Sequence, residues 1–216
     1  MISQPGAMAP RVPAATLADV AIPALGGAQT AQWTRAAILV LVGAGLTALA
    51  AQLSWHAPWT TVPYTGQTAA VLLVGTVLGS RLGLASMALY VFAGAIGLGV
   101  FSGGSSGLFN ASGALSGSVG YLAGFVVAAA LVGRLAERGW DRSPVRAAGL
   151  MVLGNLVIYA IGVPVLALVL KMSAGDALFY GAIVFVPWDA FKVVVAAGLL
   201  PLAWRAVGSK GSGRIH

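Results

Sequence analysis

Phe185-Val186-Pro187-Trp188-Asp189-Ala190-Phe191-Lys192 lies inside the last long apolar run of the chain. It carries a carboxylate and an ammonium group where the neighbouring residues argue for lipid. Ionisable groups at that depth are costly and usually face a bundle interior, a partner or a ligand. Helical positions three apart share a face, so Asp189 and Lys192 are expected side by side. Pro187 removes a backbone donor and is expected to kink the helix just ahead of them.

Outward from this stretch, apolar segments recur at roughly 36–53, 63–80, 82–100, 118–136, 147–170 and 177–204. Each is near the roughly 20 residues that a spanning helix needs. The chain is 59% hydrophobic and 8% charged, with mean hydropathy +0.93. A soluble domain carries about 25% charged residues, so this chain cannot cover a globule with polar surface. Backbone groups in lipid must be satisfied within the segment, which selects helices. Strands of a membrane barrel would alternate apolar and polar residues, and these runs do not. The expected fold is an all-α membrane protein with six transmembrane helices over 31–206. Residues 1–30 read as a mobile cytoplasmic extension and 207–216 as a cytoplasmic tail. Arg11 is the only base before Asp19 and no continuous apolar core follows, unlike a signal peptide.

Charge sets the expected orientation. The chain has 12 Lys and Arg against 5 Asp and Glu. With both termini cytoplasmic, all but Lys171 and Lys192 fall on the inner side, as the positive-inside rule requires. The 4–5 loop, with Arg134, Glu137, Arg138, Asp141, Arg142 and Arg146, carries much of that bias. The net charge of +7 therefore reads as topology, with no nucleic-acid partner expected. The absence of cysteine excludes disulfides and thiolate chemistry.

Small residues mark close packing. Gly43, Thr47 and Ala51 form one line on the first helix, and Ala44 and Ala48 the next. Gly75, Gly79 and Gly83 run through a tight 2–3 turn that holds Arg81. Trp55, His56 and Trp59, in the first outside loop, read as interfacial anchors. His56 has no second His or nearby carboxylate, so no metal site is expected. The Gly- and Ser-rich connection from Gly97 to Gly117 lacks the strand and acidic residue of a dinucleotide fingerprint. It reads as a flexible outside loop or lid, with Phe101, Leu108 and Phe109 positioned to dip into the bundle mouth.

No Ser-His-Asp set, paired carboxylates or phosphate loop can be assembled, so no catalytic residues and no cofactor are expected. What remains is a polar cluster in an apolar bundle: Thr65, Gln67, Tyr90, Asn155, Tyr159, Asp189 and Lys192. Such a set suits a pocket for a small, partly apolar molecule. Asn155 and Tyr159, four apart, share a face and serve either helix contact or ligand contact. A mutual salt bridge between Asp189 and Lys192 that only ties helices together is the structural alternative.

The run Val62-Pro63-Tyr64-Thr65-Gly66-Gln67-Thr68 resembles the V-P-x-T-x-Q-T opening of the BioY family. These are the biotin-specific S components of energy-coupling-factor vitamin transporters. The resemblance continues through Leu78-Gly79-Ser80-Arg81-Leu82-Gly83, Leu89-Tyr90 and Gly97-Leu98-Gly99-Val100-Phe101-Ser102-Gly103-Gly104. It then takes in Gly120-Tyr121-Leu122-Ala123-Gly124-Phe125, Gly154-Asn155 with Tyr159, and Pro187 to Lys192. It implies a six-helix fold in a bacterial cytoplasmic membrane that captures biotin from outside. It implies Lys192 toward a polar or anionic biotin group, Asp189 and Asn155 toward the ureido ring, and Tyr90 and Tyr159 against the rings. Gln67 and Thr65 would line the mouth or hold the 1–2 loop. Implied partners are biotin, a transmembrane coupling subunit, a pair of ATPases and the lipid bilayer. Docking is implied along Gly43, Ala44, Thr47, Ala48 and Ala51. The alternatives are an S component for another vitamin, an intramembrane enzyme or a membrane assembly protein without transport.

Overall fold

The apolar runs form helices. The computed structural model describes residues 15–22, 29–55, 57–60, 62–110 and 113–212. In chain order these form α1 (Leu17–Ala21), α2 (Gln29–Gln52), α3 (Gln67–Ala95), α4 (Val119–Ala136), α5 (Pro144–Leu170), α6 (Ala174–Gly181) and α7 (Val186–Ser212). Two short strands, β1 (Ser54–Trp55) and β2 (Tyr64–Thr65), pair antiparallel between α2 and α3. Among the described residues, α2, α3, α4, α5 and the stretch Ala174–Val207 are long and apolar enough to cross a membrane.

α3 is a hairpin of two arms. Gly79 interrupts it with φ 82° and ψ 178°, a backbone conformation that a residue without Cβ adopts readily. Across the turn, a Cβ on Gly83 would come within 2.8 Å of the Gly75 Cα. At the far end, Gln67 Nε2 donates to the Tyr90 hydroxyl at 2.5 Å. In a straight helix these residues would stand about 34 Å apart. The every-fourth glycine pattern thus lets two antiparallel arms touch. The turn is held from α4: Ser80 N and Oγ donate to Glu137 Oε1 at 2.8 and 2.7 Å. Gly133 abuts it so closely that a Cβ there would lie 2.4 Å from the Gly79 carbonyl carbon. α4 and α5 also pack closely, and a Cβ on Gly124 would lie 3.1 Å from the Ile158 Cα.

Gly43, Ala44, Thr47 and Ala51 face inward, and Ala48 is half-buried. A Cβ on Gly43 would meet Ser86 Oγ at 2.6 Å, and Thr47 Oγ1 lies 3.8 Å from Met87 Sδ. Their small size serves α2–α3 packing. The last apolar run, expected as one helix over 177–204, is broken into α6, a 3-10 turn at Ile183–Phe185, and α7. Pro187 is the second residue of α7. In the first turn of a helix a missing N–H loses nothing, so this proline starts the helix and does not kink it.

Within 1–30, expected as a mobile cytoplasmic extension, residues 15–22 pack on the bundle. Thr16 and Asp19 cap α1 reciprocally, and Leu17 and Ala18 are buried. Arg35 donates to the carbonyls of Ala18 and Ile22 and pairs with Asp19. The remainder of that segment, Arg11 included, His56 and the end of the tail with Arg214 lie outside the described residues. Arg35, Arg81, Arg134, Arg138, Arg142, Arg146 and Arg205 gather at the Gly79 end of the bundle. Lys171 lies at the other, just past α5.

Candidate functional site

The break between α6 and α7 frees backbone carbonyls at membrane depth. Irregular backbone there is tolerated only inside protein or against a cavity. Side chains from elsewhere satisfy it: Thr60 Oγ1 donates to Tyr180 O, Tyr121 to Gly181 O and Tyr64 to Val184 O, at 2.8–2.9 Å. Tyr64 stacks on Trp55 across the β1–β2 pair and packs against Phe185. The short hairpin of strands is therefore a brace for the broken helix.

Because the chain turns inward through α6, α7 begins deep in the bundle. Its first turn meets Tyr159, about 16 Å below the end of α5 at 1.5 Å per residue. The carboxylate of Asp189 sits in that first turn, where the positive end of the helix dipole favours an anion. Lys192 Nζ pairs with Asp189 Oδ1 at 3.0 Å and donates to Thr68 Oγ1 at 2.7 Å. Tyr159 donates to Asp189 Oδ2. Trp188 lies beneath the ammonium, with its ring centre 5.5 Å from Nζ. The salt bridge weighed as an alternative does exist, yet only part of each group's hydrogen-bonding capacity is used. A carboxylate offers about four acceptor positions, and two are taken.

The pair forms part of the wall of a cavity of about 660 Å³. That is within the roughly 300–1,000 Å³ typical of small-molecule sites. Leu122, Phe125, Leu166 and Phe185 supply apolar wall, and residues of the Gly- and Ser-rich segment within 101–110 and 115–118 line it as well. Of the seven expected pocket residues, Thr65, Gln67, Tyr159, Asp189 and Lys192 line it. Tyr90 stands behind the wall, bound to Gln67 and edge-on to Phe101. Asn155 borders a separate small cavity. In the Gly- and Ser-rich segment, Phe101 is buried against Gly94 and Leu108 packs on the core, while Phe109 stays exposed.

Sequence reasoning missed Thr68, Tyr121 and Phe125. Thr68 is the next residue after Gln67, in a polar helix entry, and that polarity was the available signal. Tyr121 and Phe125 read as ordinary packing beside Gly120 and Gly124, and nothing in their pattern marked a cavity. Among the described residues there is no cluster of three His, Cys, Asp or Glu side chains that could hold a metal.

A multi-pass helical bundle with a broken helix, a charged pair at its interior end and a cavity open to one side is a membrane-embedded small-molecule binding protein. The sequence profile of the BioY family matches residues 18–209, and the chain belongs to that family. It is 38% identical over 162 residues to the biotin transporter BioY of Thermotoga maritima, spanning 73% of this chain and 90% of the relative. It is 36% identical over 143 residues to the biotin transporter BioY of Rhizobium etli, spanning 63% and 74%. The fold is similar to the crystal structure of the S-component for biotin from an ECF-type ABC transporter. There the TM-score is 0.71 at 18% identity, covering 83% of this chain and 95% of that one.

Proposed function

We propose that the chain is a membrane subunit that captures biotin and mediates its uptake, and that it is not an enzyme. The observation that carries this reading is the Asp189–Lys192 pair on the wall of the cavity, in a chain of the BioY family. Biotin has an apolar thioether ring and tail between a ureido group and a carboxylate. The cavity offers matching apolar wall, with charge concentrated at its inner end. Lys192, Asp189, Tyr159, Gln67 and Thr65 are the binding residues of this reading, Thr68 orients Lys192, and Tyr90 supports Gln67 from behind.

The protein crosses the membrane six times, because the two arms of α3 count separately, with both termini and the arginine-rich end cytoplasmic and the cavity facing outward. The host membrane is the bacterial cytoplasmic membrane. A transmembrane coupling subunit and an ATPase pair supply the energy for uptake. The native chain has no cysteine, so single cysteines at Arg81 and Gly113 report their own exposure. Labelling of Gly113→Cys from outside and of Arg81→Cys from inside is expected, and the converse would overturn the orientation.

The decisive experiment is equilibrium biotin binding by the purified chain beside its Lys192→Ala variant. Saturable binding in the first, weakened at least about a hundredfold in the second, is expected from stranding one partner of a buried pair. Equal affinity in both would remove the pocket assignment. Displacement of biotin by a different vitamin at comparable concentration would move the reading to that ligand.

A further inference from the structure

Asn155 borders a second cavity, of about 10 Å³, shared with Lys192, Ala69, Leu72 and Met151. The residue is 8% exposed, and its Oδ1 is enclosed with no hydrogen-bond partner among the described residues. A buried acceptor left in that state costs about 1–3 kcal/mol. Across the same space stands Lys192. An ammonium has three N–H donors. Thr68 Oγ1 and Asp189 Oδ1 take two of them, and no other described residue accepts the third. Lys192 and Asn155 thus border one enclosed volume. One water needs roughly 10–15 Å³ and at least two polar neighbours.

We propose that a single buried water accepts from Lys192 Nζ and donates to Asn155 Oδ1, which makes Asn155 a positioning residue for Lys192 and not a contact to the ligand. The inference rests on Lys192 being part of the biotin pocket. The water completes the hydrogen bonding of the ammonium on its far side. It also holds the side chain against α5, so that the ammonium keeps one geometry and meets the ligand in the main cavity through its charge, its three N–H donors being engaged. Asn155, set one turn from Tyr159, thereby links both members of the charged pair to the same helix.

The test is the order of two substitutions. Asn155→Leu keeps the volume and excludes water. Asn155→Ala widens the space and lets solvent replace the amide. Biotin affinity is expected to fall about thirtyfold for Leu and about fivefold for Ala. In a Lys192→Ala background, measured at correspondingly higher biotin, neither is expected to lower affinity further. A direct contact predicts equal losses that persist without Lys192, and a packing role predicts that Ala is worse than Leu. Either result overturns the inference. Should the Leu variant not fold, high-resolution density for the wild-type chain decides: a water between Lys192 and Asn155 supports the inference, and an empty gap removes it. Wild-type affinity in Lys192→Ala alone would instead sink the pocket reading beneath it.

Discussion

Two aspartates are buried near opposite ends of this bundle, and their surroundings differ in kind. Asp189 is 6% exposed, faces a cavity, and is met by an ammonium, a phenol and a helix N-terminus. Asp141 is fully buried in the loop between α4 and α5. It accepts from Trp204 Nε1 at 2.6 Å, while its Oδ1 has no partner among the described residues. Arg142 spends its charge on the Trp204 ring, 4.4 Å away. The first aspartate meets its partners beside open space, an arrangement useful for binding. The second ties the loop to α7, where a neutral group of the same shape would serve. Burial alone therefore does not mark a binding carboxylate; the partner set and the adjoining cavity do.

Asp189→Ala is expected to give the largest effect. It strips Lys192 of its carboxylate partner and should cost about 3–5 kcal/mol in biotin binding. Asp141→Ala, titrated alongside, is expected to leave affinity within about twofold, a difference below 0.5 kcal/mol. Comparable losses in the two would erase the distinction between the ends.

Next in size is a test of the opposite end as scaffold. Gly133→Val places methyl groups against the Gly79 backbone, where even a Cβ would lie 2.4 Å away. Overpacking of this kind costs about 1–3 kcal/mol, and more where backbone must move. A lowered thermal midpoint with biotin affinity retained in the folded fraction is expected. Unchanged stability would mean that α3 does not turn tightly at Gly79.

How legible was this in the sequence? The helices were, because long apolar runs in a chain with so few charges admit little else. So was the Asp189–Lys192 pair, because ionisable residues in such runs are conspicuous. The break at Gly181–Phe185 was not: Ala182, Ile183, Val184 and Phe185 are as apolar as their neighbours. The carbonyls freed there are satisfied by Thr60, Tyr64 and Tyr121, distant in sequence. The inward face of Gly43, Thr47 and Ala51 was equally hidden. A line of small residues states that something approaches closely, and its own chain turned out to be what approaches. Asn155 was singled out by polarity alone, and only geometry separates a wall of the pocket from the space behind it.

A smaller effect is expected at Glu137. Burial works to raise its pKa, but the Ser80 hydroxyl and N–H, with Arg134, outweigh this and hold the carboxyl below its ordinary value of 4.5. A lowered folded-state value gives stability that is present above the unfolded value and is lost as pH falls through the folded one. Glu137→Gln keeps one acceptor for Ser80 and loses the charge. A loss of about 1 kcal/mol at neutral pH, with a flatter thermal-midpoint profile on the acid side, is expected. An undiminished acid-side slope would place that titration elsewhere.

The smallest effect, and the one with the opposite sign, belongs to Asp141→Asn. Burial pushes the Asp141 carboxyl above its ordinary 3.8, against the Trp204 N–H, its own backbone and Arg142. The folded protein then holds this proton more tightly than the unfolded chain does. Stability from this group is greatest at low pH and declines as pH rises from 3.8 through the raised folded value. Asparagine keeps an oxygen for Trp204 and carries no charge at any pH, so it resembles the protonated acid throughout. The variant is expected to match or exceed wild-type stability by up to about 1 kcal/mol at neutral pH and to lose that declining limb. Thermal unfolding across pH 4–8 separates the outcomes. A variant clearly less stable at neutral pH would show that Arg142 pairs with a needed charge, and the two aspartates would then differ in place but not in kind.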